Sequence, residues 1–572
     1  MAASVLIGAL LLGGCTIERH GLMIAPGRDA GPLDADVLDT GRVSTLSDDS
    51  FADFAAGDLG RSVANLYVRA DGTVAPVLSG DANGDGHADV VVPYHLVPGT
   101  YDTTSRIYLG LDGAFAPARF IELPTRGAKH PLLADLDGDG FTDVVFANHY
   151  SVTAGATWAV PSVVYWGSTA GSFAARPPTN LPTVAAYAVE AVDLDHNGWL
   201  DLVFTSYSAT FPSTPGVYVY WGRSTGFAPD DRLEIPATEI IDVCPADFDE
   251  DGWVDLFLPR RYSHATVSNS TTSQLVRFVD GAPDVPVLFP TFAGSGCAVA
   301  DLDGDDDLDI VMTQYWGAAS EVVPSLVFWN RDGMPSPDEP GELAVTFPGR
   351  PTVADFDGDG WLDVFTPRSW RDGTYATMSP IFFGSAVGFG PPADRLPGSD
   401  ARDADVRDFD GDGYVDVLLG NHSNDARAAD VPLELFRGPV RDLVGVAEVS
   451  LPGSFSGALL PRDWGHTWDR TPFEHFVSRP LDAGRSVTAE RISFAARTPR
   501  GTRVRLQLRS APSLEDLEAA PWTGPPDDAW HAISPSVVAR SHAGHRYFQY
   551  RAELLFTAAG GPSLDTVTIT YR

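Results

Sequence analysis

The chain has 572 residues with 77 acidic against 39 basic side chains, a formal charge of −38. That balance leaves no basic stripe for a phosphate backbone, so no nucleic-acid partner is expected. The length allows two or three domains with sizeable cores.

Taken in chain order, an apolar run from Val5 to Leu12 leads into Leu12-Gly13-Gly14-Cys15. The run is too short to span a bilayer and reads as the apolar part of an export signal. It resembles the lipobox of bacterial lipoproteins, although the preceding MAAS lacks the usual positive charge. The resemblance implies a signal peptide over residues 1–15, lipidation of Cys15, and membrane attachment through that lipid anchor only. Thr16, rather than aspartate, follows the cysteine, which in that family implies the bacterial outer membrane, on its surface or periplasmic face. Residues 16–50 are rich in Asp, Gly and Pro and are expected to be a disordered acidic tether.

Asn65 to Pro76 then matches the second half of a unit that recurs through the following 380 or so residues (compare Arg106 to Pro117), but has no acidic loop before it. It is expected either to close the array or to form a partial extra unit. The recurring feature is an acidic nonapeptide, D-x-[D/N]-x-[D/N]-G-x-x-D, that opens at Asp81, Asp135, Asp193, Asp247, Asp301, Asp355 and Asp408, in steps of 54, 58, 54, 54, 54 and 53 residues.

The oxygen ligands of each loop suit Ca²⁺, which takes about 6–8 oxygens in a flexible shell. The expected ligands are Asp81, Asn83, Asp85 and Asp89 in loop one, and Asp135, Asp137, Asp139 and Asp143 in loop two. Loops three and four supply Asp193, Asp195, Asn197 and Asp201, then Asp247, Asp249, Asp251 and Asp255. Loops five to seven supply Asp301, Asp303, Asp305 and Asp309, then Asp355, Asp357, Asp359 and Asp363, then Asp408, Asp410, Asp412 and Asp416. The backbone carbonyl at position 7 adds His87, Phe141, Trp199, Trp253, Asp307, Trp361 and Tyr414. Up to seven Ca²⁺ are expected. Glycine at position 6 (Gly86, Gly140, Gly198, Gly252, Gly360 and Gly413) permits the sharp turn, and Asp306 replaces it in loop five. An EF-hand is excluded because position 12 is never glutamate and no helix flanks the loops.

A short apolar run precedes each loop and a short β-like run such as DVVFA or DLFLP follows it. After a variable connection comes an aromatic strand with a glycine turn (VYWGSTAG at Val164, IFFGSAVG at Ile381) and then a Phe-Ala-Pro strand (Phe227 to Pro229). Four strands repeated seven times predict an all-β chain containing a seven-bladed β-propeller. The aromatic-Gly, Phe-Ala-Pro and acidic-loop elements resemble the FG-GAP or VCBS repeat family, known from integrin α-subunit propellers and bacterial surface proteins. That resemblance implies FG-GAP-type calcium loops within a propeller over residues 51–455.

Alternating strand segments broken by Pro and Gly predict a C-terminal β-sandwich over residues 456–572. It resembles accessory modules of secreted bacterial proteins. Cys244 and Cys297, each just ahead of a loop in neighbouring repeats, are open to a disulfide or to two buried thiols.

With the acidic loops on one face, the opposite face is expected to collect His149, Tyr150, Tyr207, Arg261, Tyr262, Tyr315, Trp316, Arg368, Trp370 and His422. Aromatic planes interleaved with polar groups suit a sugar or an extended peptide. No catalytic constellation stands out, since Gly222-Arg-Ser-Thr-Gly226 fills a repeat turn rather than a nucleophile elbow. The expected function is a calcium-stabilised cell-surface binding or adhesion module for a polysaccharide or extracellular protein. The alternative is a carbohydrate-active enzyme, such as a polysaccharide lyase, that uses Arg260, Arg261, Tyr262 and His149.

Overall fold

The computed structural model describes residues 44–572 apart from short internal stretches, the longest being 58–65, 208–215, 423–430 and 453–472. Cys15 and the leader lie outside the described residues.

Valine-rich runs form strands that are buried on both faces, as in Asp143–Asn148, because each sheet is covered on both sides by its neighbours. Blade two shows the pattern. Ala128–Ala134 pairs antiparallel with Asp143–Asn148, that strand with Ser162–Tyr165, and that one with Thr179–Leu181. Blades three to seven repeat it over residues 186–235, 244–292, 294–343, 352–399 and 403–451. Blade one has three described strands, Val90–Val92, Asp102–Leu111 and Ala114–Arg126. The protein is therefore nearly all β, with seven blades in a propeller arrangement.

Seven apolar clusters fill the seven interfaces between neighbouring blades. Leu132, Val145 and Trp166 of blade two, for instance, pack with Leu202, Phe204 and Tyr220 of blade three. The ring closes in the same way, with Val90, Tyr108 and Phe115 against Phe409, Leu418 and Leu451. The Tyr94 and Tyr108 hydroxyls both donate to the Pro452 carbonyl, each at 3.0 Å, and pin the last blade to the first. The first strands of successive blades stand against one another and form the innermost layer. Of the two states left open for Cys244 and Cys297, the structure has the disulfide, which joins the first strands of blades four and five.

After the propeller, Leu481–Arg497 is shared by two sheets. Its first half pairs with Ala543–Leu555, and its second half with Ser563–Tyr571. One core, including Phe476, Ile492, Leu506, Tyr550 and Ile569, fills the space between the sheets. The N-terminal segment joins this module. Ser44–Asp48, placed in the tether on sequence grounds, pairs with Thr568 to Tyr571 and Val567 of the last strand. Phe54, from the one-turn helix Phe51–Ala55, enters the same core. Buried Asp48 accepts from the Tyr550 hydroxyl at 2.9 Å and pairs with Arg479 at 3.0 Å, which anchors the segment. The repeat-like strands Leu66–Val68 and Val74–Pro76 pair with each other, and Val74 pairs with Leu564. They extend the C-terminal sheet, so they neither close the ring nor begin an eighth blade.

At the centre of the ring, Arg350 of blade six is only 6 % exposed. Its Nη2 lies 2.7 Å from Asp242 of blade four, and its Nη1 lies 3.4 Å from Asp403 of blade seven and 2.6 Å from the imidazole of His130 of blade two. Blade five contributes Gly296, where a Cβ would come within 2.8 Å of the arginine stem. Removing a buried guanidinium strands its carboxylates without a counter-charge, so Arg350→Ala is expected to cost about 3–5 kcal/mol. Chemical denaturation of the variant measures this, and a loss below about 1 kcal/mol would mean that the plug does not hold the ring.

Candidate functional site

In blades two to seven the acidic loop joins the first and second strands, and in blade one it leads into the first described strand, so the loops lie on one face of the ring. Their shape comes from their own backbone. The position-1 carboxylate accepts from the amide of position 5, as in Asp139 to Asp135 at 3.1 Å and Asp359 to Asp355 at 3.1 Å. The position-5 oxygen accepts from position 7, as in Trp253 to Asp251 at 2.9 Å. Gly198, Gly252 and Gly360 at position 6 have φ of 91°, 90° and 96°, the left-handed backbone expected of them. Gly86, Gly140, Gly413 and Asp306 lie outside the described residues.

Position 9 does different work. Asp143 is 1 % exposed and accepts from the Leu136 amide at 2.9 Å and the Gly167 amide at 2.7 Å. The same double acceptance recurs at Asp89, Asp201, Asp309, Asp363 and Asp416. One N–H comes from inside the loop and the other from the end of the third strand, at the glycine of the aromatic-Gly motif except in blade five, where Asn330 supplies it. That glycine is required because a Cβ on Gly167 would lie 2.1 Å from the Thr142 carbonyl.

Burial, together with Asp137 and Asp135, pushes Asp143 up to about 8, and Asp89, Asp309 and Asp363 to about 7 for the same reasons. A divalent cation would reverse that tendency. The donor set fits one. In loops two, three, four and five, three carboxylates bring oxygens within 4.8 Å of one another. Asp137 Oδ1 and Asp255 Oδ2 are buried without a hydrogen-bond partner. Arginines lean on several loops, including Arg119 on Asp85 at 3.2 Å, Arg176 on Asp137 at 2.9 Å and Arg437 on Asp416 at 2.7 Å.

The opposite face carries the residues that follow the second strands, and the structure brings most of the expected set together. His149 meets His95, Trp158 and Tyr187 at 5.5, 4.9 and 5.8 Å between ring centres. Tyr150 stands against Tyr101 and Trp158, and Tyr207 against Tyr187. Across the mouth, Tyr315, Trp316 and Trp370 gather around Phe347, and Arg261 lies 4.4 Å over the Tyr315 ring. His422 and Arg402 share the buried Asp400 at 3.1 and 3.0 Å. Tyr262 is half-buried beside Tyr207. Arg368 and His149 are each 6 % exposed, so they support this face from beneath.

Sequence reasoning missed Lys129, Tyr187 and Arg402. Together with Ile241, Ser295 and Gly349 they occupy one register, six residues before the first aspartate of their loops. That register is the signal that could have found them, because equivalent positions on innermost strands ring the channel. Burial pushes the Tyr187 phenol up, but Lys129, Arg261, Arg402 and Arg350 outweigh it and hold the group below the ordinary phenol value. Burial holds the His149 imidazole down to about 3 and that of His422 to about 4, so both are neutral donors near pH 7. An open groove between blades one and two is lined by Asp102, Asn148, Thr153 and Tyr165 among others, next in the chain to Tyr101 and His149 of this cluster.

The loops carry one local strain that the motif conceals. Position 4 has positive φ in every described copy. It is glycine in three of them (Gly138, Gly304 and Gly358), but His196 and Glu250 adopt φ of 55° in the others. His196 stacks on Trp253 at 3.9 Å, whereas Glu250 is exposed. Glu250→Gly is therefore expected to stabilise the protein by about 0.5–1 kcal/mol, from relief of left-handed strain net of glycine's entropy. Denaturant midpoints compare the two proteins, and an unchanged or lower midpoint would show that the loop bears no such strain.

Residues 81–146 and 135–204 match the model of the FG-GAP-like repeat. No curated protein matches this chain. Among solved structures it is similar to a structural-genomics protein from Lactobacillus plantarum, at 10 % identity over 65 % of this chain and 98 % of that one, with a TM-score of 0.40. It is also similar to a nidogen/laminin complex, at 8 % identity over 53 % and 92 % of the two chains, with a TM-score of 0.29. An exo-β-1,3-galactanase from Phanerochaete chrysosporium matches at 11 % identity over 82 % of this chain and 100 % of that one, with a TM-score of 0.30. Residues 81–204 are thus FG-GAP-like repeats, and the seven blades of the propeller continue their pattern.

Proposed function

We propose that this protein is a calcium-stabilised binding module that presents the aromatic mouth of its propeller to a polysaccharide or an extracellular protein, held at the bacterial outer membrane by a lipid on Cys15. The observation that carries the reading is the half-exposed array of Tyr150, Tyr207, Tyr315, Trp316 and Trp370 gathered around the centre of one face. Rings of this kind bind the apolar faces of sugars and of peptide side chains, while neighbouring polar groups satisfy the hydroxyls or amides.

Calcium supports the display from the other face. Twenty-six carboxylates occupy positions 1, 3, 5 and 9 of the loops, and they repel one another without a cation. After chelation, the full chain is expected to melt at a temperature that climbs with added Ca²⁺. A site held at a thousandfold excess over its Kd contributes about 4 kcal/mol. A melt indifferent to Ca²⁺ would sink the metal assignment.

One observation favours a second reading as a polysaccharide lyase. His149 stands against Tyr187, whose phenol is held below its ordinary value beside Lys129 and Arg261. A base and cations are what β-elimination from a uronate needs, since the base takes the proton next to the carboxylate as the glycosidic C–O bond breaks. Of the groups named for that chemistry on sequence grounds, Arg260 is tied to Glu239 at 2.8 Å. Incubation with a uronate polymer, followed by absorbance of the unsaturated product, tests the reading, and a flat trace at high enzyme concentration would exclude it.

A further inference from the structure

Lys129, the single lysine of the chain, stands in the innermost register at the mouth of the propeller, its ammonium 5.4 Å from the centre of the Tyr187 ring. Three neighbouring cations are committed to carboxylates. Arg350 holds Asp242 and Asp403, Arg402 holds Asp400, and Arg260 holds Glu239. Lys129 and Arg261 differ from these. Among the described residues neither has a carboxylate partner, and both are half-buried. Arg261 lies over the Tyr315 ring and donates to the Ser295 hydroxyl at 3.0 Å and the Gly294 carbonyl at 3.2 Å.

These two cations, in a protein with formal charge −38, contrast with the arginines of the acidic loops, which sit on the side chains of Asp85, Asp137 and Asp416. Lys129 has lost part of its hydration and is repelled by Arg402, which is costly, and an anion entering beside it removes that cost. The surroundings also restrict which anion fits. Around the two cations lie the faces and edges of Tyr187, Tyr207 and Tyr315, and the His149 imidazole is neutral. A compact inorganic anion would leave those aromatic faces unused, whereas a sugar ring bearing a carboxylate uses both, stacking its C–H face while the charge meets the cations.

We infer that the mouth of the propeller binds an acidic saccharide of the uronate class, with its carboxylate recognised by Lys129 and Arg261 beside Tyr187. The inference rests on the reading of this face as a ligand surface and names the ligand's chemistry.

The test is calorimetry on the full, calcium-loaded chain, with free calcium removed, against a galacturonate hexamer and the same hexamer fully methyl-esterified. The two probes share their sugar and differ only in charge. The acid form is expected to bind roughly tenfold or more tightly than the ester. Lys129→Gln and Arg261→Ala are each expected to weaken the acid form by roughly tenfold, and their melting temperatures report whether they fold. Lys129→Arg, which keeps the charge, should restore most of the affinity. Equal binding of acid and ester would overturn the inference and leave the ligand-face reading intact. Silence with both hexamers and with a panel of neutral oligosaccharides would overturn both. A polyglutamate peptide that binds more tightly than the hexamer would replace the saccharide with an acidic protein segment.

Discussion

The buried aspartate that ends each acidic loop is the contact from which the blade is assembled. Its two oxygens accept one amide from within the loop and one from the third strand, so a single side chain fixes the loop to its sheet. Because both donors are backbone groups, the geometry is indifferent to the side chains around it, and it recurs in blade after blade while the intervening sequence changes. The aromatic-Gly motif is the other half of the same contact. At Gly110, Gly167, Gly222 and Gly384 the third strand passes so close to a loop carbonyl that an added Cβ would clash with its oxygen. The glycine is replaced in two blades without loss of the strand amide, which Asn330 delivers to Asp309 at 2.8 Å and Phe278 to Asp255 at 3.0 Å; in blade four the second Asp255 oxygen is buried without a donor.

Seven near-identical blades would make a featureless channel, and its character comes from the positions where the repeat is broken. One register lower than the mouth, the blades contribute His130, Asp242, Gly296, Arg350 and Asp403. An arginine in one of them can reach the others only because blade five offers no side chain. The plug closes the centre and gives the mouth a floor. Above it, the equivalent positions supply Lys129, Tyr187 and Arg402, so cations stand at the mouth of an acidic chain.

The two faces of the ring are divided by chemistry as well as by position. Carboxylates crowd the loop face, where their repulsion would be relieved by divalent cations. Aromatic rings and a few cations occupy the other. The ring itself is held by packing between neighbours rather than by an exchanged strand among the described residues, with the tyrosine contacts to Pro452 at the seam. The C-terminal module takes its last edge from the chain's beginning, through Ser44–Asp48 and the ion pairs of Arg479.

The number of blades, the position of their loops and the separation of the two faces were legible in the sequence, because each rests on local spacing: nine residues close a loop and about 54 make a blade. Tyr150, Tyr207, Tyr315 and Trp370 could be placed on one face because they follow strands whose direction the loops set. Other contacts were decided by the tertiary structure. His130 meets Arg350 across 220 residues, and Asp48 meets Tyr550 across 502, so neither contact has a local signature. Asn65 to Pro76 shows the reason. Its side-chain pattern is that of a blade, but pattern sets only which faces are apolar, and the edge it pairs with is decided by which sheet the closed ring leaves within reach.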